Sequence, residues 1–202
     1  MTENRQRAFE HFDAYNQRDP NTFIWNGERY PQEYFLALKL WEWVNQVDPD
    51  ASEALQLAAR CQHIGRWESP RSNYPMDRAG YLRWRKELAE HHAAVARNIT
   101  EKIGYDAETI AEMENIILKK KIKVNPDVQT MENALCLVFL EYQYEDFFPK
   151  HRDKIVTILR KSLLKMDDHG HSFALKLHYS DEGLSFIKQA LQALSAQDQQ
   201  QT

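Results

Sequence analysis

An all-α fold, a helical bundle of roughly eight helices, is predicted for this chain on three observations. Six glycines and seven prolines in 202 residues leave few turns. No stretch alternates β-branched with polar residues, and the one β-like string, Cys136-Leu137-Val138-Phe139-Leu140, sits inside a longer run of helical spacing. Capping residues mark the ends of most apolar-periodic segments. The chain is 43% hydrophobic and 11% aromatic, enough for a core and too apolar for disorder.

Residues 3–18 read as a first helix, with Phe9, Phe12 and Tyr15 on one face and Asp19-Pro20 as its stop. Asn26-Gly27 marks a turn in the loop that follows. Pro31 opens a helix to about Val47, in which Tyr34, Leu38, Trp41 and Val44 recur at helical spacing. Asp50 or Ser52 caps the next, which carries Ala54, Leu55, Ala58, Cys61 and Gln62 to Gly65. Residues 66–76 form the longest irregular stretch, and a long loop in a compact helical domain is usually functional or mobile.

Asp77 caps a helix over about 78–103 that Gly104 ends, and Asp106 caps the next, with Lys119, Lys120 and Lys121 in its last turn. Asn125-Pro126-Asp127 starts a helix to about Phe148, because proline suits the first helical position. Residues 150–166 and 181–195 are amphipathic helices, 170–178 is a shorter one, and His169-Gly170-His171 reads as a turn. Without repeats or a Gly/Ser-rich linker, one helical domain over 1–195 is expected, with 1–30 as an arm packing on the bundle and 196–202 as a disordered tail.

Charge and cysteine usage narrow the function classes. Lys and Arg number 26 against 30 Asp and Glu, a net charge of −4, which argues against a dedicated nucleic-acid binder. No apolar run approaches the roughly 18 residues of a membrane span, and the N-terminus has no signal-peptide core. Cys61 and Cys136 lie in apolar runs and form no CxxC pair, so a reducing, cytoplasmic setting is expected. The aromatic run Tyr142, Tyr144, Phe147 and Phe148 suits a core or a homodimer surface.

The chain holds no dinucleotide fingerprint, Walker loop, HExxH or GxSxG. Chemistry concentrates between Arg60 and His92. Residues 60–90 carry seven bases, six of them arginine, against four acids, so this segment is +3 while the remainder is −7. Arginine presents a planar donor fork suited to carboxylate and phosphate oxygens, and Trp67, Tyr74, Tyr81 and Trp84 are interleaved with it as stacking surfaces. A pocket for a small anionic, phosphorylated or nucleotide-like molecule is therefore expected, with Arg66, Trp67, Arg71, Tyr74, Arg78, Tyr81 and Arg85 as substrate-binding residues and His63 at its floor.

The string Leu57-Ala58-Ala59-Arg60-Cys61-Gln62-His63-Ile64-Gly65 resembles the metal-binding helix of the HD phosphohydrolase superfamily, with Gln62-His63 in the place of the His-Asp pair. Glu33 upstream, His92 downstream and Glu132-Asn133 later stand where that superfamily has further ligands. This resemblance implies an HD-like bundle, a divalent Mn, Fe, Zn or Ni held by Glu33, His63, His92 and Glu132, and hydrolase chemistry in which His63 and Glu132 are catalytic. Gln62 and Asn133 depart from the pattern, leaving a non-catalytic ligand-sensing module on a degenerate HD scaffold as the alternative.

A closer resemblance follows from Arg60-Cys61-Gln62-His63-Ile64, Arg66-Trp67, Pro70-Arg71, Tyr74-Pro75, the run from Arg78 to Arg85, and His92-Ala93, with Cys136 to Glu141 as a second signature. These are similar to the family called domain of unknown function 4202, from about Phe9 to about Leu177. That resemblance supplies a fold and site positions but no reaction, and in it Asn133 stands where an aspartate is expected.

Overall fold

The computed structural model describes residues 2–198. Its elements are helical apart from one hairpin, and the chain divides into two compact units, one ending at Lys121 and the other beginning at Ile122. Sequence reasoning drew one domain over 1–195; no composition shift marks this boundary.

The first unit opens with α1 (Glu3–Asn16), whose Thr2 hydroxyl accepts the Arg5 N–H and which buries Ala8, Phe9 and Phe12. Its arm is not irregular throughout. Thr22–Trp25 (β1) pairs antiparallel with Glu28–Pro31 (β2), and Asn26 and Gly27 both take positive φ (51° and 83°), the twist that a two-residue hairpin requires. The pattern escaped reading because four-residue strands show too few alternations. Phe23 and Tyr30 face each other across the hairpin and both pack on Phe35, with ring centroids 4.8 and 5.1 Å away.

Phe35 belongs to α2 (Gln32–Val47). Pro31 precedes this helix without capping it; the buried Asp19 serves instead, its Oδ2 accepting the Glu33 N–H at 2.9 Å. Helix α3 (Glu53–Cys61) is capped by Ser52 and buries Ala54, Leu55, Leu57, Ala58, Ala59 and Cys61. It is the centre of this unit, with α1 and α2 packed against it. Arg60 on α3 forms a two-pronged bond to Asp13, 2.7 Å on each prong, and is a structural partner rather than a ligand donor.

The irregular stretch folds into two single 3-10 turns, Arg66–Glu68 and Arg71–Asn73. Helix α4 (Arg78–Ile103) then runs for 26 residues between Asp77, which caps Gly80, and Gly104 at φ +99°. Helix α5 (Ala107–Ile117) starts at Asp106 as expected and packs on α3 and α4. It stops before the lysines. Lys119 N–H bonds the Ile116 carbonyl and Lys120 N–H the Asn115 carbonyl, with Lys119 at φ +55°. This is the pattern with which Gly104 closes α4, here built on lysine. Lys121 and Lys123 also take positive φ, so the lysines line a run of turns rather than a last helical turn.

The second unit holds α6 (Pro126–Tyr142), capped by Asn125, and α7 (Tyr144–Phe147); the single helix expected to Phe148 breaks at Gln143. A 3-10 turn (Phe148–Lys150) leads to α8 (Ile155–Leu163), α9 (Asp168–Ala174) and α10 (Asp181–Asp198). Helix α10 packs on α8, and α6 on α9, around Met131, Leu137, Leu140, Leu159 and Ile187. His169-Gly170-His171 is the first turn of α9 rather than a free turn, because Asp167 caps Gly170. Ten α-helices are present among the described residues, against roughly eight expected. The tail was placed at 196–202, but α10 runs through Asp198, and residues 199–202 lie outside the described residues.

Candidate functional site

The first unit contains a cleft of about 550 Å³ between the end of α3, the first half of α4 and the end of α5. Its floor is made by Gln62, His63 and His92, its aromatic wall by Trp84 and Tyr81, and its mouth by Arg66, Arg85, Lys86 and Lys119, with Glu90 beside Lys86 at 3.8 Å.

Local chemistry positions each group. Helix α3 ends at Cys61, and Gly65 takes φ +70°. A Cβ at Gly65 would lie 2.8 Å from the His91 side chain, so only glycine lets the chain turn here and leave His63 in the cleft. His91 itself pairs with Glu68 at 3.0 Å, about 100° around α4 from the neighbouring His92. Gly80 lies under the irregular loop; a Cβ there would meet the Pro75 carbonyl oxygen at 2.2 Å. Trp84 donates its indole N–H to the Ser69 carbonyl at 2.8 Å, which holds the loop against α4. The Arg66 guanidinium lies 5.6 Å from the Trp84 ring centroid.

Three of the four predicted metal or catalytic residues share the first unit. The rings of His63 and His92 are 5.7 Å apart between centroids. Glu33 Oε2 lies 3.9 Å from His63 Nδ1, and Glu33 Oε1 lies 3.8 Å from Arg66 Nε. Glu33 is 3% exposed, and burial pushes its carboxyl up from the usual range to about 7, against the pull of Arg66. His92 donates from Nδ1 to the Ile64 carbonyl at 2.6 Å. Burial holds it down to about 4, so its ring is neutral at physiological pH. His63 is held well below the ordinary histidine range, first by lost hydration and then by the cations Arg66, Lys119 and Arg85 and by His92. The cleft thus keeps two neutral imidazoles among positive charges, with a carboxyl that titrates near neutrality behind them.

Glu132 lies in the second unit, where it is buried on α6 with Lys165 at 4.0 Å. Beside it, Asn133 donates to Asp167 Oδ1 at 2.9 Å and accepts the Asp167 N–H at 3.2 Å. Among the described residues no group of three or more His, Cys, Asp or Glu side chains is disposed to hold a metal ion. The cationic Arg66 stands where it offsets Glu33, so these residues do not fit an ion as they are arranged.

The predicted binding residues divide. Arg66, Tyr81 and Arg85 line the cleft. Arg71 does not: its guanidinium donates to the carbonyls of Tyr74, Pro75 and Asp77 and closes the loop on itself. Tyr74 donates to Glu87 at 2.7 Å, Trp67 packs on Tyr15 with centroids 5.9 Å apart, and Arg78 is exposed at the start of α4 without lining the cleft. A loop that must satisfy its own carbonyls consumes arginines that composition alone cannot tell from ligand donors. Sequence reasoning did not count Gln62, Lys86 or Lys119 among the site residues, although Gln62 stands in the place of the His-Asp pair. A glutamine between the apolar Cys61 and the candidate ligand His63 was the available signal for Gln62.

The described residues thus define a mostly helical protein of two compact units with a cation-rimmed cleft in the first. The chain matches, over residues 6–187, the family model described as a domain of unknown function, DUF4202, and it belongs to that family. No curated protein and no solved structure matches it. No helix among the described residues is long and apolar enough to cross a membrane.

Proposed function

We propose that the cleft binds a small phosphorylated molecule and that the protein is a hydrolase of the phosphate ester. One observation carries this reading: Arg66, Arg85, Lys86 and Lys119 converge on the mouth of a cleft whose floor holds two histidines. Cations around a concave site suit phosphate oxygens, and arginine matches them with paired donors. In the reaction, Arg66 and Arg85 hold the phosphoryl oxygens and offset charge as the leaving oxygen departs. The neutral His63 imidazole accepts a proton from the attacking water. The water oxygen bonds to phosphorus, the ester P–O bond breaks with its electron pair on the leaving oxygen, and that oxygen takes up the proton that His63 removed from the water, which returns the imidazole to its neutral form.

Release of inorganic phosphate from a panel of sugar phosphates and nucleotides tests the proposal, with Arg85→Ala and His63→Ala as controls. Turnover lost in both variants, with helical circular dichroism retained, is expected. A blank panel with phosphate compounds still bound would instead support the ligand-sensing module, which the Gln62 departure from the His-Asp pair favours.

The HD-like ancestry of the bundle belongs to the same proposal; a divalent ion does not, because Glu33, His63 and His92 are not disposed to hold one. The metal content of protein purified without a histidine tag checks this. A cytoplasmic setting is supported by two free, buried cysteines, and sedimentation tests the proposed homodimer.

A further inference from the structure

The floor of the cleft carries two acceptors that nothing in the chain satisfies. Gln62 is 3% exposed. Its amide N–H donates to the Ile117 carbonyl at 3.0 Å, which fixes the side chain and leaves Oε1 buried without a hydrogen-bond partner. His92 is 2% exposed. Its Nδ1 is committed to the Ile64 carbonyl, so Nε2 bears the lone pair, and that atom is also buried and unpartnered. Both side chains line the same cleft, below Arg66, Arg85 and Lys119.

Polar atoms taken out of water without a partner are costly, and native proteins rarely leave two of them in one place without an occupant to satisfy them. Neither atom suits a phosphate. Oε1 and the Nε2 lone pair both seek a donor, and an ionised phosphoryl group has none to offer at their side. The basic mouth and the accepting floor therefore recognise opposite ends of one molecule. The cleft volume, about 550 Å³, accommodates far more than a phosphate group. Trp84, its indole N–H already given to Ser69, offers the occupant an apolar face.

We propose that the occupant is a hydroxyl-bearing phosphate ester, a sugar or polyol phosphate or the corresponding part of a nucleotide, bound with its phosphate at Arg66 and Arg85 and its hydroxyls donating to Gln62 Oε1 and His92 Nε2. This rests on the anion-site reading above and adds the class of ligand to it. Inorganic phosphate fills only the mouth, and an alkyl phosphate without hydroxyls leaves the two acceptors unpaired.

Titration calorimetry of the full chain in EDTA, with inorganic phosphate, methyl phosphate, glycerol phosphate, ribose 5-phosphate and adenosine monophosphate, tests it. The hydroxyl-bearing esters should bind about tenfold or more tighter than methyl phosphate, the size of one or two net hydrogen bonds. Gln62→Met, which keeps the side-chain length and removes the acceptor, should erase about a factor of ten of that preference and leave methyl phosphate affinity unchanged. Equal affinity for methyl phosphate and the hydroxyl-bearing esters in the wild type overturns the ligand class and leaves the anion site standing. No binding by any phosphate compound overturns the anion site itself. Should Gln62→Met fail to fold, by loss of its bond to Ile117, the wild-type ligand series alone decides.

Discussion

Replacing Glu33 by glutamine should make the first unit more stable as the pH rises. In the folded chain burial raises the Glu33 carboxyl from 4.5 to about 7. A group whose folded pKa is raised stabilises fully below its unfolded value and loses that contribution as the pH climbs through the folded one. The whole shift, about 2.5 units at about 1.4 kcal/mol per unit, is worth about 3.5 kcal/mol, of which the wild type should lose about 2.5 kcal/mol between pH 5 and pH 8, the remainder falling outside that interval. Glutamine keeps the shape and carries no charge, so the difference in unfolding free energy, Glu33→Gln minus wild type, should grow by about that amount across the same interval.

Urea denaturation followed by tryptophan fluorescence at pH 5, 6.5 and 8 measures it. All five tryptophans, Trp25, Trp41, Trp43, Trp67 and Trp84, lie in the first unit, so the signal reports that unit. A difference that stays flat with pH would refute the reasoning, since it would mean that Glu33 ionises in the folded state at no cost.

On the acid side the opposite sign holds. His92, lowered to about 4, stabilises above its unfolded value and should lose that contribution as the pH falls from 6.5 towards 4, and His92→Phe should flatten the loss in the same denaturation series. Lys119→Gly should raise the stability of the first unit by about 0.5–1 kcal/mol by relieving a positive φ, yet weaken phosphate binding because Lys119 lines the cleft; parallel melting and titration separate the effects. Arg85→Ala should weaken the phosphate affinity that ligand-induced stabilisation reports by about tenfold, whereas Arg71→Ala should lower the melting temperature through three lost carbonyl bonds and leave the ligand-induced shift as large as in the wild type. Asn133→Asp should cost about 1–3 kcal/mol at neutral pH, measured by urea denaturation, because it would set a second carboxylate 2.9 Å from Asp167.

The capped ends of the long helices were legible residue by residue, whereas the break at Gln143 was not. Asp77 with Gly104, Asp106, and Asn125 with Pro126 each satisfy the free backbone groups of one helix end, an interaction confined to a few neighbouring residues and hence written locally. The turn at Asn26-Gly27 was legible but its strands were not, because four residues show too few alternations, and the lysine-built end of α5 was not, because there the backbone takes a conformation that lysine only permits. For the site, the sequence by itself determined that arginine and aromatic residues gather between Arg60 and His92, and that His63 and His92 fall at the end of one helix and in the middle of another. Only the tertiary structure decided which of them share a cleft. Arg71 bends back to its own loop carbonyls while Arg66 and Arg85 reach the mouth. Gln62 and His92 are each held by a carbonyl of another segment, Ile117 and Ile64, so that their remaining acceptors are left at the floor. Which hydrogen-bonding groups stay unpaired depends on partners tens of residues away in the chain, and no local pattern of residue types encodes that.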